Sequence, residues 1–274
     1  MRKGRRVLTV LAWVAGVAVV VILGLRLFAP RAMAPTRAAD PVAAMAAGDE
    51  LLASRDATVL IVVAHPDDVE WWAGGTAGML TRSNRVVLVV GTSGEKGDSG
   101  LVPGLGPIRE ELQRAGGAIL GYSDVVFLRN PDGGLADAAV FPAQVADAFA
   151  KYDPVTVITF DIERESAGYH HVDHEAAGRV AERVARERGG LTLYLMHTSA
   201  PDVIVDYAPM KEAKAKAFAK LTSYHELVPV VGPLSTWASR LLGPSAPTYG
   251  SKASYPEVGV EFGEVFRRVV VPAK

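Results

Sequence analysis

The feature that most limits what this chain can fold into is a series of short, unbroken apolar runs separated by helix-like stretches. Residues 57–64 (ATVLIVVA), 85–90 (RVVLVV), 124–128, 155–160 and 191–196 are rich in β-branched and aromatic side chains and show no polar alternation. Between them, 69–83, 108–120, 138–152 and 175–188 carry helical periodicity, and 211–221 follows as a further helix-like stretch. Strands that are apolar on both faces need cover on both faces, so the expected architecture is α/β: a Rossmann-like, mostly parallel sheet with helices on either side. Ligands in such sheets bind beyond the carboxyl ends of the strands, which makes the residues just after each run the candidate site.

The amino terminus carries a different signal. Residues 7–25 (VLTVLAWVAGVAVVVILGL) hold no charge and, as a helix, would span roughly 28 Å, close to the thickness of a bilayer's hydrocarbon core. Arg2, Lys3, Arg5 and Arg6 precede this run and favour a cytoplasmic N-terminal end, which would send the remainder across the membrane. Arg26, Arg31 and Arg37 on the far side work against that orientation. Cleavage after Ala32-Met33-Ala34 and secretion is the rival reading, but Pro35 would follow the cut and the apolar run exceeds the ~7–15 residues usual in a signal peptide. The expected organisation is a membrane anchor over 1–28, a linker over 29–55 that turns helical near residue 41, a core over 56–200 and a C-terminal extension over 201–274. Stretch 229–254, rich in Gly, Pro and Ser, carries little readable order.

Seven of the 29 basic residues lie in 1–39 with no acid, so the remaining 22 face all 30 acids, a net charge of −8 on the body. That balance argues against a nucleic-acid partner, which needs a basic face to displace counterions. The absence of cysteine removes disulfides, thiolate metal sites and cysteine nucleophiles.

Two loops carry the chemistry. After the first run comes Ala64-His65-Pro66-Asp67-Asp68-Val69-Glu70; Asp67 and Glu70 have the spacing of a helix capping box, and the same segment offers the imidazole of His65 and the adjacent carboxylates of Asp67 and Asp68 at a strand end. After the fourth run comes Tyr169-His170-His171-Val172-Asp173-His174, with three of the six histidines within five residues. A histidine at a helix start is disfavoured as a cation and stays in the neutral, metal-binding form. Together the loops can supply His, Asp and His to one divalent ion, and a nitrogen–oxygen set without sulfur suits catalytic zinc. A neighbouring carboxylate outside that set can serve as the base for the water that such an ion acidifies.

AHPDD after the first strand and His171-Val172-Asp173-His174 late in the domain resemble the PIG-L/LmbE-like zinc de-N-acetylase family, over roughly 57–198. Gly74-Gly75-Thr76, Thr92-Ser93-Gly94-Glu95, Arg109-Glu110, Leu120-Gly121 and Asn130-Pro131-Asp132-Gly133 extend the match. The resemblance implies one Zn2+ held by His65, Asp68 and His174, with Asp67 as general base. It further implies that His171 acts on the reacting amide, Asp173 orients it, Tyr169 stabilises the oxyanion, and Arg109 and Asp132 touch the substrate. The implied activity is hydrolysis of the N-acetyl group of an N-acetylglucosamine-type amino sugar or glycoconjugate. Val69 stands where the family is often acidic, and His170 and Val172 stand where Gly and Pro are common. An amidase acting on another N-acyl conjugate, or a catalytically silent membrane-anchored carbohydrate binder, would use the same residues differently.

Other signals weigh less. Loop 91–97 lacks the ending of a phosphate-binding P-loop and is expected to wall the site. Asp161, Glu163 and Glu165 offer carboxylates to a second cation but read more simply as a solvated acidic loop, Trp71 and Trp72 as packing residues, and His197 as a residue at the pocket's edge.

Overall fold

A computed structural model describes residues 36–97, 102–166, 170–227 and 250–274. The expected membrane anchor and Tyr169 lie outside the described residues, as does most of 229–254. Among the described residues no helix is long and apolar enough to cross a membrane.

The described chain runs α1 (Pro41–Leu52), β1 (Thr58–Val63), α2 (Asp68–Trp72), α3 (Gly74–Leu80), β2 (Arg85–Thr92), α4 (Leu105–Leu120), β3 (Asp124–Asn130), α5 (Phe141–Tyr152), β4 (Thr156–Phe160), α6 (Val172–Arg188), β5 (Leu191–Met196), β6 (Val203–Asp206), α7 (Lys211–Thr222), β7 (Ala253–Tyr255) and β8 (Val260–Val271). The strands form a mixed sheet in the order β3-β2-β1-β4-β5-β8-β6, with β7 paired to β8. The first five are parallel, with Leu60 beside both Val87 and Val157. Val59 to Val63 and Val86 to Val90 are completely buried, which is why these strands need no polar alternation.

The C-terminal part departs from the parallel pattern. β8 enters antiparallel beside β5, with Leu193 opposite Val269, and its first half pairs with β6, with Ile204 opposite Val265. Residues expected to act as a linker also join this wing. Asp40 caps α1 through Ala43 N (3.0 Å), and Ala44, Ala47, Gly48 and Leu51 are buried. A Cβ at Gly48 would lie 1.8 Å from the Ile204 carbonyl oxygen, so only glycine lets α1 approach β6 this closely. Arg37 pairs with Glu257, and Arg268 pairs with Glu50 (2.6 Å), fastening the same contact from its edges.

One buried ion pair joins this wing to the segment that follows the first candidate loop. Lys214 on α7 donates to Glu264 on β8 (2.6 Å) and to the carbonyls of Trp71 (3.3 Å) and Ser251 (3.2 Å). Glu264 also accepts the amides of Gly75 (2.9 Å) and Thr76 (2.7 Å) at the start of α3. The stretch expected as one helix over 69–83 is therefore two, broken at Ala73 (φ −140°, ψ 11°), with freed amides answered by a carboxylate from β8. Asp161 is likewise buried rather than solvated: it takes two hydrogen bonds of 2.7 Å from Arg267. Removing one member of a buried pair strands the other charge. Lys214→Met is therefore expected to destabilise the protein by about 3–5 kcal/mol in urea unfolding, and a loss below about 1 kcal/mol would show that the pair does not hold this junction.

Candidate metal centre and active site

β1 lies between β2 and β4, and the chain leaves it first toward β2 and β3 before returning to β4 on its other side. Strand order reverses there, and the carboxyl ends of neighbouring β1 and β4 bring the two candidate loops together. His65 and His171 have ring centroids 4.7 Å apart, His65 and His174 5.3 Å, and His171 and His174 4.7 Å. His174 is also stacked on Phe160 at 4.1 Å, which fixes its plane from the end of β4.

Asp68 is the hinge of this arrangement. Its Oδ2 accepts the amides of His65 (2.8 Å) and Ala64 (3.1 Å), so the carboxylate is anchored by the backbone of its own turn. Its Oδ1 lies 3.1 Å from His174 Nε2, and His65 Nδ1 lies 3.7 Å from Oδ2. The other nitrogen of His65 faces carboxylates, with Nε2 at 3.2 Å from both Asp132 and Asp173. A carboxylate on the far nitrogen fixes an imidazole's tautomer and directs its near lone pair at a metal. His65, His171 and His174 also bring one ring nitrogen each within 4.8 Å of one another, as do His65, Asp132 and Asp173 with one donor atom each. This is a buried nitrogen–oxygen donor set with no thiolate, of the kind that suits a divalent cation; two groups of donor atoms converge on His65, one with His171 and His174 and one with Asp132 and Asp173, and Asp68 lies between His65 and His174.

The electrostatics show the same demand for positive charge. Burial opposes a charge on His65, yet hydrogen bonds to Asp132 and Asp173 outweigh it and raise the pKa to about 10. Burial likewise opposes ionisation of Asp68 and Asp132, but His174 and His65, respectively, hold each down to about 2. His171 moves the other way: burial, then the neighbouring rings of His65 and His174, lower its pKa. Its Nδ1 accepts the amide of Asp173 (3.2 Å), capping α6, so the proton of the neutral ring sits on Nε2.

The other residues singled out from the sequence take the following places. Asp67 sits beside Asp68 but forms no capping box: it makes no side-chain cap, and Glu70 is buried away from it. Its backbone is left-handed (φ 90°), an uncommon and strained state for a non-glycine residue. Arg109, expected to touch substrate, is buried and donates to Asp67 Oδ2 (2.9 Å), the Pro66 carbonyl (2.6 Å) and the Gly94 carbonyl (3.0 Å). A Cβ at Gly94 would come within 2.1 Å of that guanidinium, so loop 91–97 walls the site by leaving room for Arg109. Asp132 reaches His65 and takes the Lys96 amide (2.8 Å). Asp173 turns its carboxylate to His65 and the amides of Gly133 (2.6 Å) and Leu135 (3.0 Å), and meets His171 through its own backbone N–H. His170 is exposed and paired with Glu165 (3.0 Å), and His197 stacks on Trp72 at 4.4 Å.

Two residues that motif spacing did not single out for the site are Gln113 and Glu70. Gln113 accepts the Asp67 amide (2.8 Å) and donates to Glu70 Oε1 (2.9 Å). Glu70 is fully buried, and that burial raises its pKa from 4.5 to about 7. A carboxyl whose folded pKa lies above its unfolded value binds a proton more tightly in the native state, so its contribution to stability falls as pH rises from 4.5 toward 7. Glu70→Gln removes that titration. The variant is expected to gain up to about 3 kcal/mol over the parent in urea unfolding at pH 8, with the gain vanishing near pH 4; an equal difference at both pH values would refute the shift.

No curated protein sequence matches the chain. Among solved structures, N,N'-diacetylchitobiose deacetylase from Pyrococcus horikoshii is 23% identical with a TM-score of 0.58, over 77% of this chain and 83% of that one. A conserved protein from Thermus thermophilus is 24% identical with a TM-score of 0.57, over 79% and 94%. GalB, the 4-carboxy-2-hydroxymuconate hydratase of Pseudomonas putida KT2440, is 18% identical with a TM-score of 0.53, over 81% and 98%. These likenesses establish the fold, and the hydratase among them shows that the fold alone does not select the reaction. Residues 60–185, which carry most of β1, both candidate loops and most of α6, match the family described as PIG-L, GlcNAc-PI de-N-acetylase.

Proposed function

We propose that this protein is a zinc-dependent hydrolase that removes the N-acetyl group from an N-acetylglucosamine-type amino sugar or glycoconjugate. The observation that carries the reading is Asp68 set between His65 and His174, with Asp67 beside it outside the ligand set and held by Arg109. The match to the PIG-L family and the likeness to a chitobiose deacetylase support the choice of an N-acetylated sugar.

His65, Asp68 and His174 would hold the ion, which when bound polarises the amide carbonyl and acidifies a water. Asp67 takes the proton of the attacking water. Burial raises its pKa while Arg109 opposes that rise, which gives the carboxylate more basicity than a solvent-exposed one and keeps it in place. His171, with its proton on Nε2, donates to the oxygen on which charge develops, and Tyr169 is assigned to the same oxygen from the family pattern. The amine leaves after receiving a proton from Asp67 or His171, and acetate and a free amino sugar are released. Asp173 and Asp132 hold His65 from behind, and Arg109 holds Asp67.

We extend the proposal to location: 7–25 anchors the chain in a membrane with the catalytic body on the extracytoplasmic side, a reading supported by the length and charge pattern of that segment. Membrane fractionation with protease access from outside intact cells is expected to recover the chain in the membrane and digest the body; recovery in the soluble fraction or full protection would refute one or both parts.

The enzyme is expected to bind zinc and release acetate from N-acetylglucosamine, chitobiose or a lipid-linked amino sugar. Zinc retention with no acetate from any N-acetylated sugar, but with release of another acyl group, would identify an amidase; retention with no release at all would identify a binder. Asp67→Ala is expected to keep the metal and lose about 10²–10⁴-fold in kcat, whereas His174→Ala loses both metal and turnover. Unchanged turnover in Asp67→Ala would refute the base assignment.

A further inference from the structure

Asp67 must hold a conformation that its residue type disfavours. A left-handed non-glycine backbone costs roughly 1–3 kcal/mol and persists only where its surroundings impose it. The side chain does not cap α2, and the local hydrogen bond at this residue, from the Trp71 amide to the Asp67 carbonyl (2.9 Å), is the ordinary first bond of the helix and does not require a positive φ. Its side chain and its amide are both constrained from α4. Arg109 takes the carboxylate and the preceding carbonyl of Pro66, and Gln113, one helical turn further along, takes the Asp67 amide.

Gln113 is 1% exposed, and its amide can be oriented in only one way. The Asp67 N–H is a donor, so it must face the carbonyl oxygen; the NH2 group then faces Glu70 Oε1. Glu70 is itself fully buried one turn into α2, so Asp67 and Glu70 are joined across the turn by one side chain from another helix. Leaving a buried amide without its partner costs about 1–3 kcal/mol, comparable to the strain it helps to hold.

We propose that Gln113 is a positioning residue for catalysis: braced on Glu70, it holds the Asp67 amide so that the Asp67 carboxylate stays turned toward Arg109 and the water it activates. This rests on the reading of Asp67 as general base. The helix that carries Gln113 thus aligns the base from behind, without touching substrate.

The test uses the full-length zinc-loaded protein at pH 8. Gln113→Leu, which fills the same space without an acceptor, is expected to lower kcat about 10- to 100-fold with KM within about twofold and zinc content unchanged. Its crystal structure is expected to show Asp67 out of the left-handed region. Gln113→Glu keeps the acceptor for Asp67 but sets a second carboxylate against Glu70, and it is expected to lose activity. The exchange Gln113→Glu with Glu70→Gln restores one donor and one acceptor across the contact and is expected to recover at least about tenfold over Gln113→Glu alone. Wild-type kcat in Gln113→Leu, an Asp67 φ still near 90° in its crystal structure, or no recovery in the exchange variant would overturn the proposal. Should Gln113→Leu fail to fold, the exchange pair decides. A wild-type protein that releases no acetate from any N-acetylated sugar would defeat the deacetylase reading instead, and the crystal structure of Gln113→Leu would still decide whether Gln113 holds Asp67.

Discussion

The site depends on one carboxylate held by its own backbone. Asp68 Oδ2 accepts the amides of Ala64 and His65 as β1 ends, which leaves Oδ1 facing His174 Nε2 at 3.1 Å. Because Val59 to Val63 of β1 are completely buried and the strand is paired on both sides, the turn that carries Asp68 has little freedom to move. Carboxylates gathered this closely draw positive charge: against burial, Asp132 and Asp173 raise the pKa of His65, and the imidazoles of His174 and His65 in turn hold Asp68 and Asp132 low. A bound divalent ion supplies such charge directly.

Around that centre, rigidity comes from distant parts of the chain. α4 contributes Arg109 and Gln113 to Asp67; loop 131–135 and Asp173 lock each other through two backbone amides; Lys214 and Glu264 fasten the α2–α3 junction from the C-terminal wing. The last of these gives residues beyond 200 a role that their composition did not suggest: they do not merely follow the core but tie down the segment directly after the metal loop. Each buried charge in this layer has several partners, the condition under which buried ion pairs do not act as net liabilities.

The five parallel strands and most of the helices were legible in the sequence because both the strand runs and the helical periodicity are local patterns. The wing was not legible. β8 carries Glu264, Arg267 and Arg268 within a strand, and these are tolerated because Lys214, Asp161 and Glu50 answer them from elsewhere in the chain. The helix expected over 69–83 breaks for a similar reason: the amides of Gly75 and Thr76 find a carboxylate 188 or more residues away. The capping box that the spacing of Asp67 and Glu70 would allow does not form. Its spacing is real, but burial claims Glu70, and Gln113 and Arg109 claim Asp67.

By itself, the sequence determined the fold class, the two loops that meet, and the donor types that point to a divalent ion without sulfur ligands. These follow from periodicity, from loop position at strand ends and from the chemistry of histidine and aspartate. Only the tertiary structure decided the partners: that Arg109 grips Asp67, that Asp173 backs His65, and that Gln113 bridges Asp67 and Glu70. The reason is physical. A residue's type limits which contacts it can make, but which of the competing donors and acceptors reaches it depends on strand order and helix packing, and these are set by burial across the whole chain.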